Sequence, residues 1–250
     1  MGKPKDITQP MTENVTAGGS VNDRFEKLSK DYGELFTEVF ALQGMNYDGL
    51  QRSVLETVSE RVPNFREIPI LDIGVGDGAT SAAFVEAGSR KITGIDLNPE
   101  MLDATRDKFG DSISLREMNA TDMSTFKPGD FTIIIAGAAI HNISIVDRGK
   151  FWKEILRLYP DTLVLAEKVK DADSEKHKAD YDKEVAAIRK VYGEMHGLHE
   201  AEKEWVAHYE YDEREALMMN EIKENLADQY DTSVVFEMGL YKTVLAIKKK

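Results

Sequence analysis

The stretch Ile68–Gly78, IPILDIGVGDG, decides how the rest of the chain is read. Its first half is apolar at Ile68, Ile70, Leu71 and Ile73, the composition of a strand buried in a parallel sheet. Asp72 sits near the strand's end, and Gly74, Gly76 and Gly78 follow at alternate positions. A helical run then opens with Ala79, Ala82, Ala83, Phe84 and Val85. Strand, glycine turn and helix make a nucleotide-binding crevice, because glycine alone lets backbone and ligand approach so closely.

The spacing G-x-G-x-G differs from the dinucleotide fingerprint G-x-G-x-x-G, and the acids around it weigh more. A pyrophosphate needs bare backbone N–H groups at a helix N-terminus, and Asp72 and Asp77 would repel it. S-adenosylmethionine (SAM) has no phosphate. Its ammonium and sulfonium tolerate or use a carboxylate beside the glycines. The next strand, Lys91–Leu97 (KITGIDL), ends in Asp96. An acid there, roughly 20 residues on, is placed to accept from both ribose hydroxyls. A turn of the same shape with no nucleotide is the alternative.

The composition narrows the classes. A chain of 250 residues with 42% hydrophobic content fits one α/β domain with an added lid, or one and a half domains. A net charge of -13 repels phosphate backbones, so direct nucleic-acid binding is not expected. There is no cysteine, hence no disulfide, no thiolate nucleophile and no cysteine-based zinc site. No stretch approaches the ~18 apolar residues that span a bilayer, and the first residues lack an apolar signal core. A cytoplasmic protein is expected, with a homodimer as a candidate assembly.

Residues 1–20 are polar, with Pro4, Pro10, Gly18 and Gly19, and are expected to be mobile. The domain is expected over 21–250. From Asn22, apolar residues recur at helical spacing through Phe40, and a second helix runs from about Tyr47 to Val62, ended by Pro63. Both precede the first strand and can cap the crevice, with Tyr32 and Tyr47 the residues that could reach it. Strands are expected at 68–73, 91–96, 112–117, 131–136 and 162–169, alternating with helices. That alternation implies a doubly wound parallel sheet. Residues 171–230 break the rhythm. They hold 17 Asp+Glu and 8 Lys+Arg, a net of -9, with apolar residues at helical intervals. Three helices are expected, turning near Gly197, the first two forming a lid over 171–210. Two closing runs around Gly239 form an antiparallel pair.

In this order the chain resembles the class I SAM-dependent methyltransferases over about residues 22–247. The resemblance rests on DIGVGDG (72–78), GIDLNPEML (94–102), NATDM (119–123) and the terminal hairpin. It implies a mostly parallel seven-strand sheet whose seventh strand is antiparallel. It also implies that Gly74, Gly76 and Gly78 line the methionine part of SAM, with Asp72 nearby. Asp96 would bind the ribose, with Leu97 and Met101 on the adenine side. Asp122 would accept from the adenine amino group, with Met123 beside it, and Gly137 would face the sulfonium. A narrower similarity is to carboxy-S-adenosylmethionine synthase and its relatives. GMNYDGLQRSV, with Tyr47, looks like that group's helix start, and LAEKV looks like its LSEKF. Where the group carries a carboxylate-binding arginine this chain has Glu204, and the group's asparagine after strand four falls at Gly137. An acid cannot hold a carboxylate, so carboxy-SAM chemistry is not expected.

Methyl transfer can run largely on positioning and desolvation. A base is needed only where the acceptor must lose a proton. His141, just past strand four, could serve, or could be an ordinary surface histidine. Glu167, at the end of strand five, is placed for substrate binding or for a salt bridge. The lid aromatics Tyr181, Tyr192, Trp205 and Tyr209 could face a sulfonium or simply pack the lid. Tyr181 is the expected catalytic ring, and Trp205 and Tyr209 the expected substrate contacts. His196, His199 and His208 lack a ligand pattern, so no metal is expected. Three functions stay open. The first is methyl transfer to a small molecule, with an amine suggested by the acidic lid. The second is a non-methyl use of SAM, such as the cyclisation of azetidine-2-carboxylate synthases. The third is SAM binding without catalysis.

Overall fold

The computed structural model describes residues 15–16, 19–20, 32–214 and 216–250. The expected mobile segment 1–20 lies almost wholly outside these, as do residues 22–31 of the expected first helix and the side chain of Tyr32.

Two helices precede the sheet, α1 (Tyr32–Leu42) and α2 (Tyr47–Arg61). The α/β alternation follows as β1 (Ile70–Ile73), α3 (Ala79–Glu86), β2 (Ile92–Asp96), α4 (Pro99–Phe109) and β3 (Ile113–Glu117). It continues through β4 (Ile133–Gly137), α5 (Ile145–Leu158) and β5 (Thr162–Lys168). The strands fall where hydrophobic patterning puts them. β1 starts at Ile70 rather than Ile68 because a turn of 3₁₀ helix occupies Phe65–Glu67 and Pro69 has no N–H for a ladder. α4 begins with Pro99 in its first turn, and the Asn98 side chain accepts from the Met101 N–H.

The inserted region is two long helical segments. The first, α6 (Ser174–His196), is capped by Asp173, whose side chain accepts from the N–H groups of Glu175 and Lys176. It stops at Gly197, where φ is +94°. The second, α7, spans 198–214 and contains a π-helical stretch, Ala201–Val206. The insertion therefore runs past the expected boundary at 210. The chain closes with α8 (Met219–Leu226), β6 (Tyr230–Met238) and β7 (Tyr241–Lys248).

The sheet order is β3-β2-β1-β4-β5-β7-β6, and β7 alone runs against its neighbours. The order reverses between β1 and β4. Ile73 pairs with Ala136 there, so Gly74 and Gly137 leave the sheet side by side. Open α/β sheets bind ligands at such a switch point. One core lies under α5 and α8, with Phe151, Trp152 and Ile222. The other gathers α1, α2 and the insertion, so that Phe36, Leu50, Ile188, Tyr192 and Trp205 share one apolar cluster.

Candidate active site

The glycine turn holds a conformation that other residues resist. Gly74, Gly76 and Gly78 have φ of +66°, +55° and +82°. A Cβ on Gly74 would come within 2.4 Å of the Ala139 Cβ, and one on Gly78 within 2.5 Å of Phe109. Neighbouring protein therefore packs directly against the turn, and a side chain at Gly74 or Gly78 would have no room. Two acids flank it in different states. Asp72 is fully buried, accepts from the Ser81 hydroxyl at 2.6 Å, and has Oδ1 without a hydrogen-bond partner among the described residues. Burial pushes its carboxyl up to about 7, against the Ser81 hydrogen bond. Asp77 is answered by Lys108 at 2.7 Å.

Asp96, at the end of β2, accepts from Gly76 N–H and Asn98 N–H, each at 2.9 Å. Burial raises its pKa although these bonds pull the other way. A carboxylate has further lone pairs to offer a ribose. Leu97 beside it is 48% exposed. Met101 is buried, with its methyl 3.3 Å from a Cβ built on Gly76. Asp122 is exposed, and the Ser124 hydrogen bonds hold its carboxyl below the usual range. Met123 lies in the second core, and its N–H donates to Glu154 at 2.8 Å. Its side chain faces the core, leaving its backbone as the part nearest Asp122.

The cap helices close the other side of the turn. Tyr47 is buried, and burial and Asp77 raise its pKa. One turn on, the Gln51 side chain accepts from the Thr80 hydroxyl at 2.6 Å. A Cβ on Gly137 would meet that hydroxyl at 2.1 Å, so strand four comes against this pair because it ends in glycine.

Past Gly137 the chain turns through Ala138, which has φ of +54°. Glu167 holds that turn. Its Oε1 accepts from the N–H groups of Ala139 and Ile140, both at 2.9 Å, and its Oε2 lies 2.8 Å from His141 Nδ1. Glu167 is fully buried and His141 is 8% exposed. The Asn142 side-chain amide stands 3.4 Å from His141 Nε2 and donates to the Ala138 carbonyl. This arrangement suits a proton on Nδ1 and a lone pair on Nε2. The two residues predicted separately thus form one unit, with the carboxylate orienting the ring.

His141 lines two small cavities. Tyr47, Ala138, Trp205 and Tyr241 border the first, on the glycine-turn side. Lys170, His177, Tyr181 and Glu213 border the second, toward β5 and the insertion. Lys168 and Tyr209, like His141, line both. Each has about 20 Å³ of free volume, room for about one water.

The lid aromatics divide between these spaces. Trp205 borders the first and Tyr181 the second. Tyr209 already carries a cation, with Lys168 Nζ 3.7 Å from its ring centroid. Its hydroxyl donates to Glu184, as does that of Tyr241. Tyr192 lies in the core and donates to Glu204 at 2.6 Å. Glu204 is therefore a buried, hydrogen-bonded acid that offers no positive charge at the position aligned with the arginine. No group of His, Asp or Glu among the described residues could hold a metal.

Lys168, Lys170, His177, His208 and Glu213 also line the cavities, and sequence reasoning gave none of them a role there. Lys168 and Lys170 carry one usable signal: they follow the C-terminal end of a buried parallel strand. His177 and Glu213 are 36 residues apart, and only the packing of α6 on α7 brings them together.

The fold is that of the class I SAM-dependent methyltransferases, and residues 70–160 match the family profile of a methyltransferase domain. The chain spans about three fifths of the length of the curated relatives it matches. Among particular proteins, it is 28% identical over 149 residues to the demethylmenaquinone methyltransferase of Chlorobaculum parvum. That alignment covers 60% of this chain and 59% of the relative. The Chlorobaculum tepidum enzyme of the same name matches at 27%, again over 60% of this chain and 59% of its own length. Magnesium protoporphyrin IX methyltransferase from Synechocystis PCC 6803, solved with S-adenosylhomocysteine (SAH), superposes with a TM-score of 0.57 at 14% identity. The match covers 92% of this chain and 98% of that one. A 1,6-didemethyltoxoflavin-N1-methyltransferase from Burkholderia thailandensis gives 0.55 at 16%, over 92% and 88%.

Proposed function

We propose that the protein transfers the methyl group of SAM to a small-molecule acceptor that must lose a proton, with His141 as the base. The observation that carries this is the His141–Glu167 unit, at the switch point between the glycine turn and the insertion. The glycine turn fits SAM by its left-handed backbone and by the buried Asp72 Oδ1, which has no hydrogen-bond partner among the described residues and suits an ammonium. Asp96 would take the ribose, Leu97, Met101 and Asp122 the adenine side, and Tyr47 with Gly137 the sulfonium side. When bound, SAM supplies an electrophilic methyl carbon.

The chain's own residues then have three tasks. Glu167 fixes the imidazole through Nδ1, so Nε2 can take the acceptor's proton. Three N–H groups and the histidine give both oxygens of the buried Glu167 hydrogen-bond partners. The insertion and cap helices enclose both cavities and keep water from the reacting centre. Names of relatives also support a small acceptor, since they describe methyl transfer to a quinone precursor and to ring compounds.

The test is the product made from SAM with a panel of small acceptors. SAH is expected, and His141→Ala is expected to lower its formation by ~100-fold or more while leaving SAM affinity unchanged. Methylthioadenosine as the product would favour intramolecular cyclisation instead. Full turnover in His141→Ala would remove the base from the mechanism.

A further inference from the structure

The polar pair packed against the end of β4 has no part in the steps above. Gln51, on α2, and Thr80, in the first turn of α3, are each 5% exposed. The Thr80 hydroxyl donates to Gln51 Oε1 at 2.6 Å. A Cβ on Gly137 would lie 2.1 Å from that hydroxyl and 3.2 Å from Gln51 Oε1, so the pair sits directly on the switch point. Apolar side chains of the same shape would cost folding little here, and what the pair supplies is direction. With its oxygen taken by Thr80, the Gln51 amide has only its two N–H donors left to offer. Tyr47 stands one turn earlier on the same face of α2. The Gln51 side chain hydrogen-bonds to its hydroxyl, while burial and Asp77 raise the Tyr47 pKa and keep the phenol protonated. The ring itself is held by others, edge-on to Phe40 at 5.2 Å and tilted against Phe36 at 6.1 Å. The Tyr47 oxygen thus accepts from Gln51, and its own hydrogen remains a donor at the border of the first cavity.

We infer that Gln51 and Thr80 are positioning residues for SAM, which fix the Tyr47 hydroxyl as a donor toward the cofactor through a relay Thr80–Gln51–Tyr47. The inference rests on the placing of Tyr47 at the sulfonium side in the methyl-transfer reading, and it adds two residues that act through that phenol. Three elements meet in the relay. α2 carries Tyr47 and Gln51, α3 carries Thr80, and β4 ends against both at Gly137. The helix that follows the glycine turn therefore sets a hydroxyl on the cap helix across from it. The two links fail in different ways. Gln51→Met fills similar space but leaves the Thr80 hydroxyl without its acceptor and the phenol free to rotate. Thr80→Val keeps the shape and removes the donor, so the amide can turn over and present its oxygen to Tyr47. The phenol hydrogen is then drawn to Gln51 and away from the cofactor.

Calorimetric titration of the full chain with SAH tests this, with a melting curve beside each variant. Tyr47→Phe, Gln51→Met and Thr80→Val are each expected to weaken SAH binding about fivefold or more. Thr80→Ser, which keeps the hydroxyl, should recover most of what Thr80→Val loses. The double variant Tyr47→Phe with Gln51→Met should bind SAH no worse than Tyr47→Phe alone, because Gln51 acts only through the phenol oxygen. A packing role would instead lower the melting temperature of Thr80→Ser and Thr80→Val without separating their SAH affinities. That result, fully additive losses in the double variant, or native SAH affinity in Gln51→Met or Tyr47→Phe would overturn the inference. The readings beneath it fail separately. A native chain that binds no SAH removes the cofactor itself, and a chain that binds SAH through an intact relay but yields none from SAM with any acceptor removes only methyl transfer.

Discussion

At the scale of single residues, Asp72 carries a tension that pH exposes. It is an acid with no solvent contact and one unpartnered oxygen, and burial raises it to about 7. The folded state therefore holds its proton more tightly than the unfolded chain does. That contribution to stability is fully present below about pH 4 and is lost as the pH rises through about 7. Its full size is on the order of 4 kcal/mol. Asp72→Asn should raise the melting temperature at pH 8 clearly more than at pH 5. It should also weaken SAM binding at pH 8, where the native carboxylate can meet an ammonium. Equal shifts at both pH values in thermal melts would show that Asp72 is not the titrating group. Asp72 could be singled out from the sequence because it ends an apolar strand before glycines. Its partnering could not, because Ser81 reaches it only after α3 has folded back.

At the scale of elements, the turn between β1 and α3 and the turn after β4 are built against each other. The Gly74 hydrogen faces the Ala139 methyl, and Glu167 on β5 holds Ala139 in place through its N–H. Gly74→Ala must leave a left-handed backbone region and displace a neighbour that is itself anchored. The expected cost is about 2–4 kcal/mol of stability, with SAM affinity lowered beyond detection. Unchanged melting with normal SAM binding would contradict the contact. The succession of strands and helices along the chain and the closing antiparallel pair were legible because each strand is a short apolar run and most boundaries carry Gly, Pro or a capping side chain, whereas the antiparallel place of β7 in the sheet came from the family resemblance. The pairing of Glu167 with His141 was not. It needs the parallel register of β4 and β5, which places together two C-terminal ends that are 26 residues apart in sequence. The π-helical stretch at Ala201–Val206 has no signature that helical spacing could reveal.

At the scale of the whole molecule, the insertion packs on α1 and α2 and shares their core, while its inner surface closes both cavities. With about 20 Å³ of free volume in each, room for a larger acceptor would come from a shift of α6 or α7. Hydrogen exchange over 174–214 should therefore slow when SAH is bound, while β1, β4 and β5 change little. Identical exchange with and without SAH would mean that the insertion is a fixed wall. Within that wall one side chain has a particular consequence. Lys168 is one of three side chains, with His141 and Tyr209, common to both chambers. Trimming it to alanine would disturb the two chambers together, because the amine that stands over the Tyr209 ring and beside Glu184 would be lost from each.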